Sequence, residues 1–362
     1  METRKRRFLG LLTATAILLV AELLCRLWLG SEAPTGKALT PDPRRLWRLA
    51  SGGQQDVRVD ADGFRQVKKP GPADAPLVLT VGDSSIFGHG VNDGFTIHEA
   101  LGARLAERGK PARVRSLAVP GYSTMQTLEV MDELGWSLAP TVLVIGNLWS
   151  DSTLDIVRDA DLYRQLRMPT ARIELQLSRL ALFRVVKRAV NTSRGLPAER
   201  VISWPQPGDL GVRRVPLADY ARNLETLLDE ARERKIGVVF LGLCAEMMVR
   251  RGRQTTDPSF VYVDAQYRVA KAHGVPYVDA LKVLGGSGQD SGTLFSDDLH
   301  PNNAGSTLLG EALADELYAY GWPKRVPIPV SAPPLHAAAD SRDGATRAEK
   351  SSVAGALANG NL

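Results

Sequence analysis

The sequence predicts an α/β protein built on a parallel β-sheet with helices on both faces. Short apolar segments without polar alternation recur after residue 76, as is typical of strands buried on both sides. Longer segments with apolar residues at helical spacing, such as Ile97, Leu101 and Leu105, lie between them. Strands that alternate with helices are joined by crossover connections and therefore run parallel to one another.

Five strands and five helices follow from these patterns. The predicted strands are Leu77–Val81, Val114–Val119, Thr141–Ile145, Gly237–Leu243 and Val275–Val278. The predicted helices are Gly94–Arg108, Ser123–Leu138, Leu217–Arg234, Phe260–His273 and Asn302–Tyr320. Asn302 is the expected N-cap of the last helix, because its short side chain can accept hydrogen bonds from the first turn.

The first 30 residues predict a membrane anchor. Four consecutive basic residues, 4–7, precede the apolar run Phe8–Leu24, whose length is at the lower limit for a spanning helix. No A-x-A cleavage site follows, so an uncleaved anchor is favoured over a cleavable signal peptide. The basic start would stay in the cytoplasm, which leaves the main chain on the periplasmic or outer side of an inner membrane. Secretion after signal cleavage is the alternative.

The rest of the chain divides into three further parts. Residues 31–75 are rich in Pro, Gly, Asp and Arg and predict a stem and N-terminal extension, with one ordered piece at 57–65 that holds an edge strand and a turn at Asp62-Gly63. Residues 76–324 form the α/β domain, with an insertion at about 150–215. The insertion includes a basic amphipathic helix, Arg172–Val190, which is either a solvated face or a flap near a membrane or an acidic substrate. Residues 325–362 predict a disordered tail.

Composition excludes several classes of function. The 362 residues carry a net charge of +5, but no basic run interleaved with aromatics follows the N-terminus, so nucleic-acid binding has little support. The two cysteines, Cys25 and Cys244, are not expected to meet. The histidines show no paired metal-ligand spacing, so neither a metal nor another cofactor is predicted; this applies to His89, His98, His273 and His336.

Polar residues with complementary chemistry follow the predicted strands. Ser84 comes directly after the first strand, and Asp297 and His300 precede the last helix. Because the carboxyl ends of parallel strands meet at one edge of the sheet, these residues are expected to converge. A serine hydroxyl needs a neighbouring base, and an imidazole base needs an acid that fixes its tautomer. Ser84 is therefore the predicted nucleophile, His300 its base and Asp297 the partner of His300.

An oxyanion formed by this attack needs hydrogen-bond donors. The predicted donors are the backbone N–H of Ser84, the backbone N–H of Gly121 and the side-chain amide of Asn147, since Gly121 and Asn147 follow the second and third strands. Two alternatives stay open: Ser85 as the nucleophile and Asp298 as the partner of the base. Asp83 is expected to form a turn and to cap the following segment.

These blocks resemble the SGNH (GDSL) hydrolase superfamily. The matching residues are Gly82-Asp83-Ser84, Gly121, Asn147, and Asp297 with His300 followed by Pro301, and the resemblance spans about residues 57–320. It implies a three-layer α/β/α flavodoxin-like fold with a mostly parallel five-stranded sheet, and a carboxylic ester hydrolase. One departure is Leu148, which stands where the family usually has an aspartate; Asp151 is a candidate substitute.

The resemblance to membrane-anchored members leaves three hypotheses for function. The first is a serine esterase that hydrolyses an O-acyl ester, with acetyl on an envelope polysaccharide as one example. The second is an O-acyltransferase that uses the same triad. The third is a binding protein with a degenerate site, which Leu148 alone favours. The expected partners are an acylated small molecule or polysaccharide and the membrane, and the oligomeric state stays open.

Overall fold

The computed structural model describes residues 2–28, 39–54, 57–155, 157–170, 173, 177, 180–193, 211–252 and 259–323. The predicted tail at 325–362 and part of the predicted insertion lie outside these residues. The strands are β1 Leu39–Asp42, β2 Leu46–Leu49, β3 Gly52–Gln54, β4 Val57–Val59, β5 Leu77–Gly82, β6 Arg113–Ser116, β7 Val142–Gly146, β8 Leu154–Asp155, β9 Val212–Arg213, β10 Gly237–Gly242 and β11 Tyr277–Asp279.

The α-helices of the described residues lie before, between and after these strands. They are α1 Glu2–Trp28, α2 Ser84–Phe87, α3 Ile97–Glu107, α4 Thr124–Val130, α5 Trp149–Ser152, α6 Asp159–Arg167, α7 Ala181–Ser193, α8 Leu217–Glu233, α9 Glu246–Arg251, α10 Phe260–Ala272, α11 Ala280–Gly285 and α12 Asn303–Ala319. The long helix predicted at Ser123–Leu138 is an α-helix only as far as Val130, and continues as a π-helical turn at Met131–Gly135 and a 3-10 turn at Trp136–Leu138.

The central sheet has five parallel strands in the order β11-β10-β7-β5-β6. Every residue of β5, β7 and β10 is buried, which explains why their sequences lack alternation. Helices α3 and α12 pack against each other, and α8 packs against α4 and α10. The predicted α/β class and the five-stranded sheet flanked by helices are confirmed, with strand ends that differ from the prediction by up to three residues.

The order of the central strands fixes the position of the site. β5 lies beside β7 in register, with Gly82 opposite Gly146. The chain therefore leaves both strands at the same level, and the segments that follow them are adjacent. Because the order reverses direction between β5 and β7, this edge of the sheet is the switch point at which open α/β sheets bind ligands.

The N-terminal extension is more extensively folded than the single ordered piece predicted for it. β1 pairs with β2, and β3 pairs with β4, in two antiparallel hairpins. Strand β4 confirms the predicted edge strand, and Gly63, whose φ is +88°, lies in the predicted turn. Trp47 and Phe64 are buried in the core, so this region packs on the α/β domain.

Helix α1 contains the apolar N-terminal segment. Residues Phe8–Trp28 have a mean hydropathy of 2.3 in their most apolar window, and no part of that window is buried in the protein. The helix is long and apolar enough to serve either as a membrane anchor or as a signal sequence.

Candidate active site

Three side chains form a continuous hydrogen-bonded chain at the carboxyl edge of the sheet. Ser84 Oγ lies 2.7 Å from His300 Nε2, across 216 sequence positions. His300 Nδ1 lies 2.7 Å from one carboxylate oxygen of Asp297 and 2.9 Å from the other. The contact with a carboxylate requires the imidazole proton on Nδ1, which leaves Nε2 to accept the serine proton.

The end of β5 positions Ser84. At Gly82 φ is +155°, and a Cβ there would lie 2.5 Å from the carbonyl oxygen of Gly146, so only glycine fits between the two strand ends. Asp83 then caps the short helix α2 by accepting a hydrogen bond from the N–H of Ser85 at 3.1 Å, as predicted. The Ser85 hydroxyl is buried and has no hydrogen-bond partner among the described residues. Of the two serines, only Ser84 contacts His300.

Asp83 has a second role that its place in the sequence did not reveal. Its carboxylate accepts hydrogen bonds from the N–H groups of Trp149 at 2.9 Å and Leu148 at 3.3 Å, and so connects the serine turn with the loop after β7. Burial raises the pKa of Asp83, and the backbone hydrogen bonds from Ser85 and Trp149 act against that rise. The position taken by Leu148 is thus supported through its backbone, while its side chain is buried in the core.

Asn147 is oriented by hydrogen bonds on its side chain and its backbone. Thr127 donates its hydroxyl to Asn147 Oδ1 at 3.1 Å, and Asn147 Nδ2 donates to the carbonyl of Tyr122 at 3.5 Å. The hydroxyl of Tyr220 donates to the Asn147 carbonyl at 2.8 Å. Because the oxygen of the amide is taken by Thr127, its NH₂ group faces the Gly121–Tyr122 loop.

Gly121 is held by residues that are distant in sequence. Its φ is +84°, and a Cβ would lie 3.2 Å from the indole of Trp47. The guanidinium of Arg214 donates to the Gly121 carbonyl at 2.8 Å and lies 5.4 Å from the Trp47 ring centre. Arg214 also binds both oxygens of Asp159, at 3.0 and 2.8 Å, and both side chains of this ion pair are at most 3% exposed.

A second buried acid supports the helix that follows this loop. Asp151, the candidate substitute for the missing aspartate, accepts hydrogen bonds from the N–H and hydroxyl of Thr124 at the start of α4. Its side chain therefore supports the Gly121 side of the site rather than Asn147. Burial raises the pKa of Asp151 to about 7, even though the hydrogen bonds from Thr124 act to lower it.

The loop that carries His300 is organised by Asp297 itself. The Asp297 carboxylate accepts hydrogen bonds from the N–H groups of Leu299 and His300, each at 2.8 Å. Partial burial acts to raise the pKa of Asp297, but these bonds and the His300 side chain outweigh it and lower that pKa. The carbonyl of Asp298 accepts a hydrogen bond from the N–H of Glu246 at 2.9 Å, whereas His300 Nδ1 is hydrogen-bonded to Asp297.

Asn302 joins this loop to the last helix. Its Oδ1 caps α12 by accepting from the N–H groups of Ala304 and Gly305, which confirms the predicted N-cap. Its Nδ2 donates to the carbonyls of Thr293 and Phe295. The segment after His300 is thereby fixed at both of its ends.

His89 lies against His300. Its ring centre is 4.7 Å from that of His300, and burial together with the charge of His300 lowers the pKa of His89. Ligand atoms of His89, Asp297 and His300 lie within 4.8 Å of one another, a grouping that could hold a metal ion. Chain spacing did not indicate it, because His89 is more than 200 positions from the other two. The absence of a metal stays a prediction.

The structure brings together most of the residues that the motifs singled out. Ser84, Asp297 and His300 are in direct contact, and Asn147 faces the loop of Gly121. The sequence reasoning missed Trp47, Thr127 and Arg214, which carry no motif of their own. Only the adjacency of His89 to the serine turn offered a local signal.

Comparison with known proteins matches part of the chain to a hydrolase family. Residues 209–308, which include Asp297 and His300, match the GDSL-like Lipase/Acylhydrolase family. No curated protein is matched. Among solved structures, the chain is similar to a lipase/acylhydrolase from Enterococcus faecalis, with 19% identity, 69% of this chain and 99% of that chain covered, and a TM-score of 0.45. It is also similar to the acetylxylan esterase Axe2 from Geobacillus stearothermophilus, with 14% identity, 69% and 96% covered, and a TM-score of 0.44. Over residues 209–308, the family match confirms the resemblance to GDSL/SGNH hydrolases seen in the sequence blocks, and it supports the expectation of a carboxylic ester hydrolase.

Proposed function

We propose that this protein hydrolyses an O-acyl ester through an acyl-enzyme on Ser84. The observation that carries the proposal is the unbroken chain from Ser84 Oγ through His300 to Asp297, with both contacts at 2.7 Å. A nucleophile within hydrogen-bond reach of a base, itself oriented by a third group, is the arrangement that activates a serine.

In the first step Ser84 Oγ attacks the ester carbonyl carbon while its proton passes to His300 Nε2. Asp297 retains the Nδ1 proton and stabilises the imidazolium that forms. The oxyanion of the tetrahedral intermediate would accept hydrogen bonds from the N–H groups of Ser84 and Gly121 and from the Asn147 amide. Collapse breaks the bond to the alcohol oxygen, which takes the proton from His300.

In the second step water attacks the acyl carbon of the ester on Ser84. His300 accepts the proton of the water and returns it to Ser84 Oγ, which releases the carboxylic acid. The lowered pKa of Asp297 supports this role, because the acid stays ionised while His300 gains and loses its proton.

The proposed substrate is an O-acyl group, such as acetyl, on an envelope polysaccharide, and α1 is the proposed anchor that holds the domain outside the inner membrane. The four basic residues at 4–7 and the exposed apolar surface of Phe8–Trp28 support this location. The substrate rests on the resemblance to membrane-anchored members of the family.

The test is turnover of p-nitrophenyl acetate by the full chain in detergent. Ser84→Ala is expected to lower kcat by a factor of about 10⁴ or more, since a triad without its nucleophile retains only binding and oxyanion stabilisation. Ser85→Ala is the matched control, because its hydroxyl has no hydrogen-bond partner among the described residues, and it is expected to keep kcat within a factor of a few. Full activity in Ser84→Ala would exclude the proposed nucleophile.

Two further measurements separate the alternatives. A fluorophosphonate probe is expected to label Ser84 in the folded protein, and a lack of labelling would favour a degenerate binding protein. The backbone support of Leu148 by Asp83 weighs against degeneracy. An assay with an acyl donor and a polysaccharide, scored for transfer and for hydrolysis, would show an acyltransferase if the acyl group appears mainly on sugar.

A further inference from the structure

Helix α7, in the predicted insertion, is joined to the apolar helix α1. The carboxylate of Glu22 in α1 accepts hydrogen bonds from the N–H groups of Ala181 and Leu182, each at 2.9 Å. Arg26 binds the same carboxylate at 2.7 Å. The first N–H groups of a helix have no partner within it, and an anionic group there also interacts favourably with the helix dipole. The start of α7 therefore lies beside Glu22, six residues before α1 ends at Trp28.

The two faces of α7 differ in chemistry. At 3.6 residues per turn, its apolar side chains fall within about 160° of the helix circumference; they are Leu182, Phe183, Val185, Val186, Ala189 and Val190. The opposite side carries Arg184, Lys187 and Arg188, and the helix contains no acidic residue.

The described part of the protein covers only part of the apolar face of α7: Leu182, Phe183 and Val185 are half-buried, but the face is open further along the helix. Val186 is 52% exposed and Val190 is 40% exposed. The stripe continues before the helix at Ile173, Leu177 and Leu180, which are 60%, 38% and 44% exposed and are spaced at four and three residues. An exposed apolar stripe of this length beside basic side chains is the pattern of a helix that lies in a membrane interface.

We propose that α7 lies on the outer surface of the membrane beside α1, with its apolar face in the acyl boundary and its basic residues on anionic lipid headgroups. Three cations in 13 residues disfavour a path through the hydrocarbon. The joint at Glu22 places the start of α7 near the outer end of the spanning helix, where headgroups are. The proposal rests on the proposed anchoring by α1 and is independent of the esterase activity.

The test uses the full chain in vesicles of phosphatidylcholine with phosphatidylglycerol, with an environment-sensitive fluorophore on Val186→Cys. Cys25 and Cys244 are replaced by alanine. The matched control is Asn191→Cys, about 140° away around the helix. Emission from position 186 is expected to shift to the blue and to be quenched by doxyl-labelled lipid, while position 191 stays accessible to aqueous iodide. Arg184→Gln, Lys187→Gln and Arg188→Gln together are expected to abolish any difference between vesicles with and without phosphatidylglycerol.

Position 186 as accessible to iodide as position 191 would overturn the proposal. A blue shift that lipid quenchers leave unchanged and that falls on dilution with unlabelled chain would also overturn it, in favour of contact with a second copy. Release of the chain from the vesicles by cleavage of α1 would support the anchor but overturn the placement of α7 on the membrane.

Trypsin gives a second measurement on the unsubstituted chain. Cleavage after Arg184, Lys187 and Arg188 is expected to slow when phosphatidylglycerol is present, and equal rates would contradict the proposal. Ser84→Ala is expected to behave as the unsubstituted chain in every one of these measurements, which separates the result from the esterase hypothesis.

Discussion

The loop that carries His300 and the loop that carries Gly121 are held in opposite ways. Asp297 organises its own loop, because its carboxylate binds N–H groups only two and three residues ahead as well as the His300 ring. Gly121 depends on Arg214, 93 residues later, and on the indole of Trp47, which bonds the adjacent carbonyl of Pro120 from 73 residues away. One half of the site is thus encoded locally, and the other half forms only when distant segments have packed.

The largest effect is expected in the locally encoded half of the site, the loop of Asp297 and His300. Asp297→Asn keeps the shape of the side chain but no longer fixes the proton on His300 Nδ1, so kcat for p-nitrophenyl acetate is expected to fall by a factor of about 10⁴. Asp298→Asn is the matched control and is expected to keep kcat, because Asp298 bonds to its surroundings through its carbonyl. If the two variants lost equal activity, the assignment of the base's partner would be wrong.

The next largest effect is expected in the other half of the site, the Gly121 loop that residues distant in sequence hold in place. In Arg214→Met combined with Asp159→Asn, the Gly121 carbonyl loses its donor but no buried charge is left unpaired. A displaced oxyanion donor is expected to lower kcat by a factor of about 10 to 100, with little change in KM. The exposed pair Arg222–Asp219, neutralised in the same way, is the control and is expected to change neither value.

Full kcat in the double variant, with only a lower melting temperature, would assign Arg214 a purely structural role. The split between kcat and KM matters here, since general loosening of the fold would change both together.

A smaller effect is expected at the hydrogen bond between Thr127 and Asn147. Thr127→Val removes the hydroxyl that holds Asn147 Oδ1 and leaves the volume nearly the same. One neutral hydrogen bond contributes about 1 kcal/mol, so kcat is expected to fall by a factor of about 5 to 10. Thr127→Ser, which keeps the hydroxyl, is expected to restore most of it. Equal activity in the two variants would show that Asn147 is oriented without Thr127.

The difference between the two loops also explains what the sequence could predict. Ser84, Asp297 and His300 stand directly after strands or before a capped helix, where the order of elements alone brings them to one edge. The N-cap at Asn302 and the cap at Asp83 depend on neighbours within three residues, and both were predictable.

Trp47 and Arg214 have no such local mark. Trp47 lies in a segment rich in proline and arginine that predicts a stem, and Arg214 lies in an insertion without regular periodicity. Their role arises from long-range packing against Gly121, which neither propensity nor spacing records. The second contact of Asp83, with the backbone of Leu148 and Trp149, was hidden for the same reason, because it joins two strands that are neighbours only in the folded sheet.

The smallest expected effect concerns stability at the distant half. The pKa of Asp151 is raised to about 7 in the folded protein, above the value of about 3.9 expected when it is unfolded. The folded state therefore binds more protons between these values, and its stability falls as pH rises from about 4 to about 7. Asp151→Asn cannot titrate, so its melting temperature is expected to fall less than that of the unsubstituted chain between about pH 5 and pH 8. Thr124→Val removes a hydrogen bond that lowers this pKa, so its stability is expected to keep falling to higher pH. If the melting temperatures of all three proteins changed with pH by the same amount, Asp151 would not couple the Gly121 side of the site to pH.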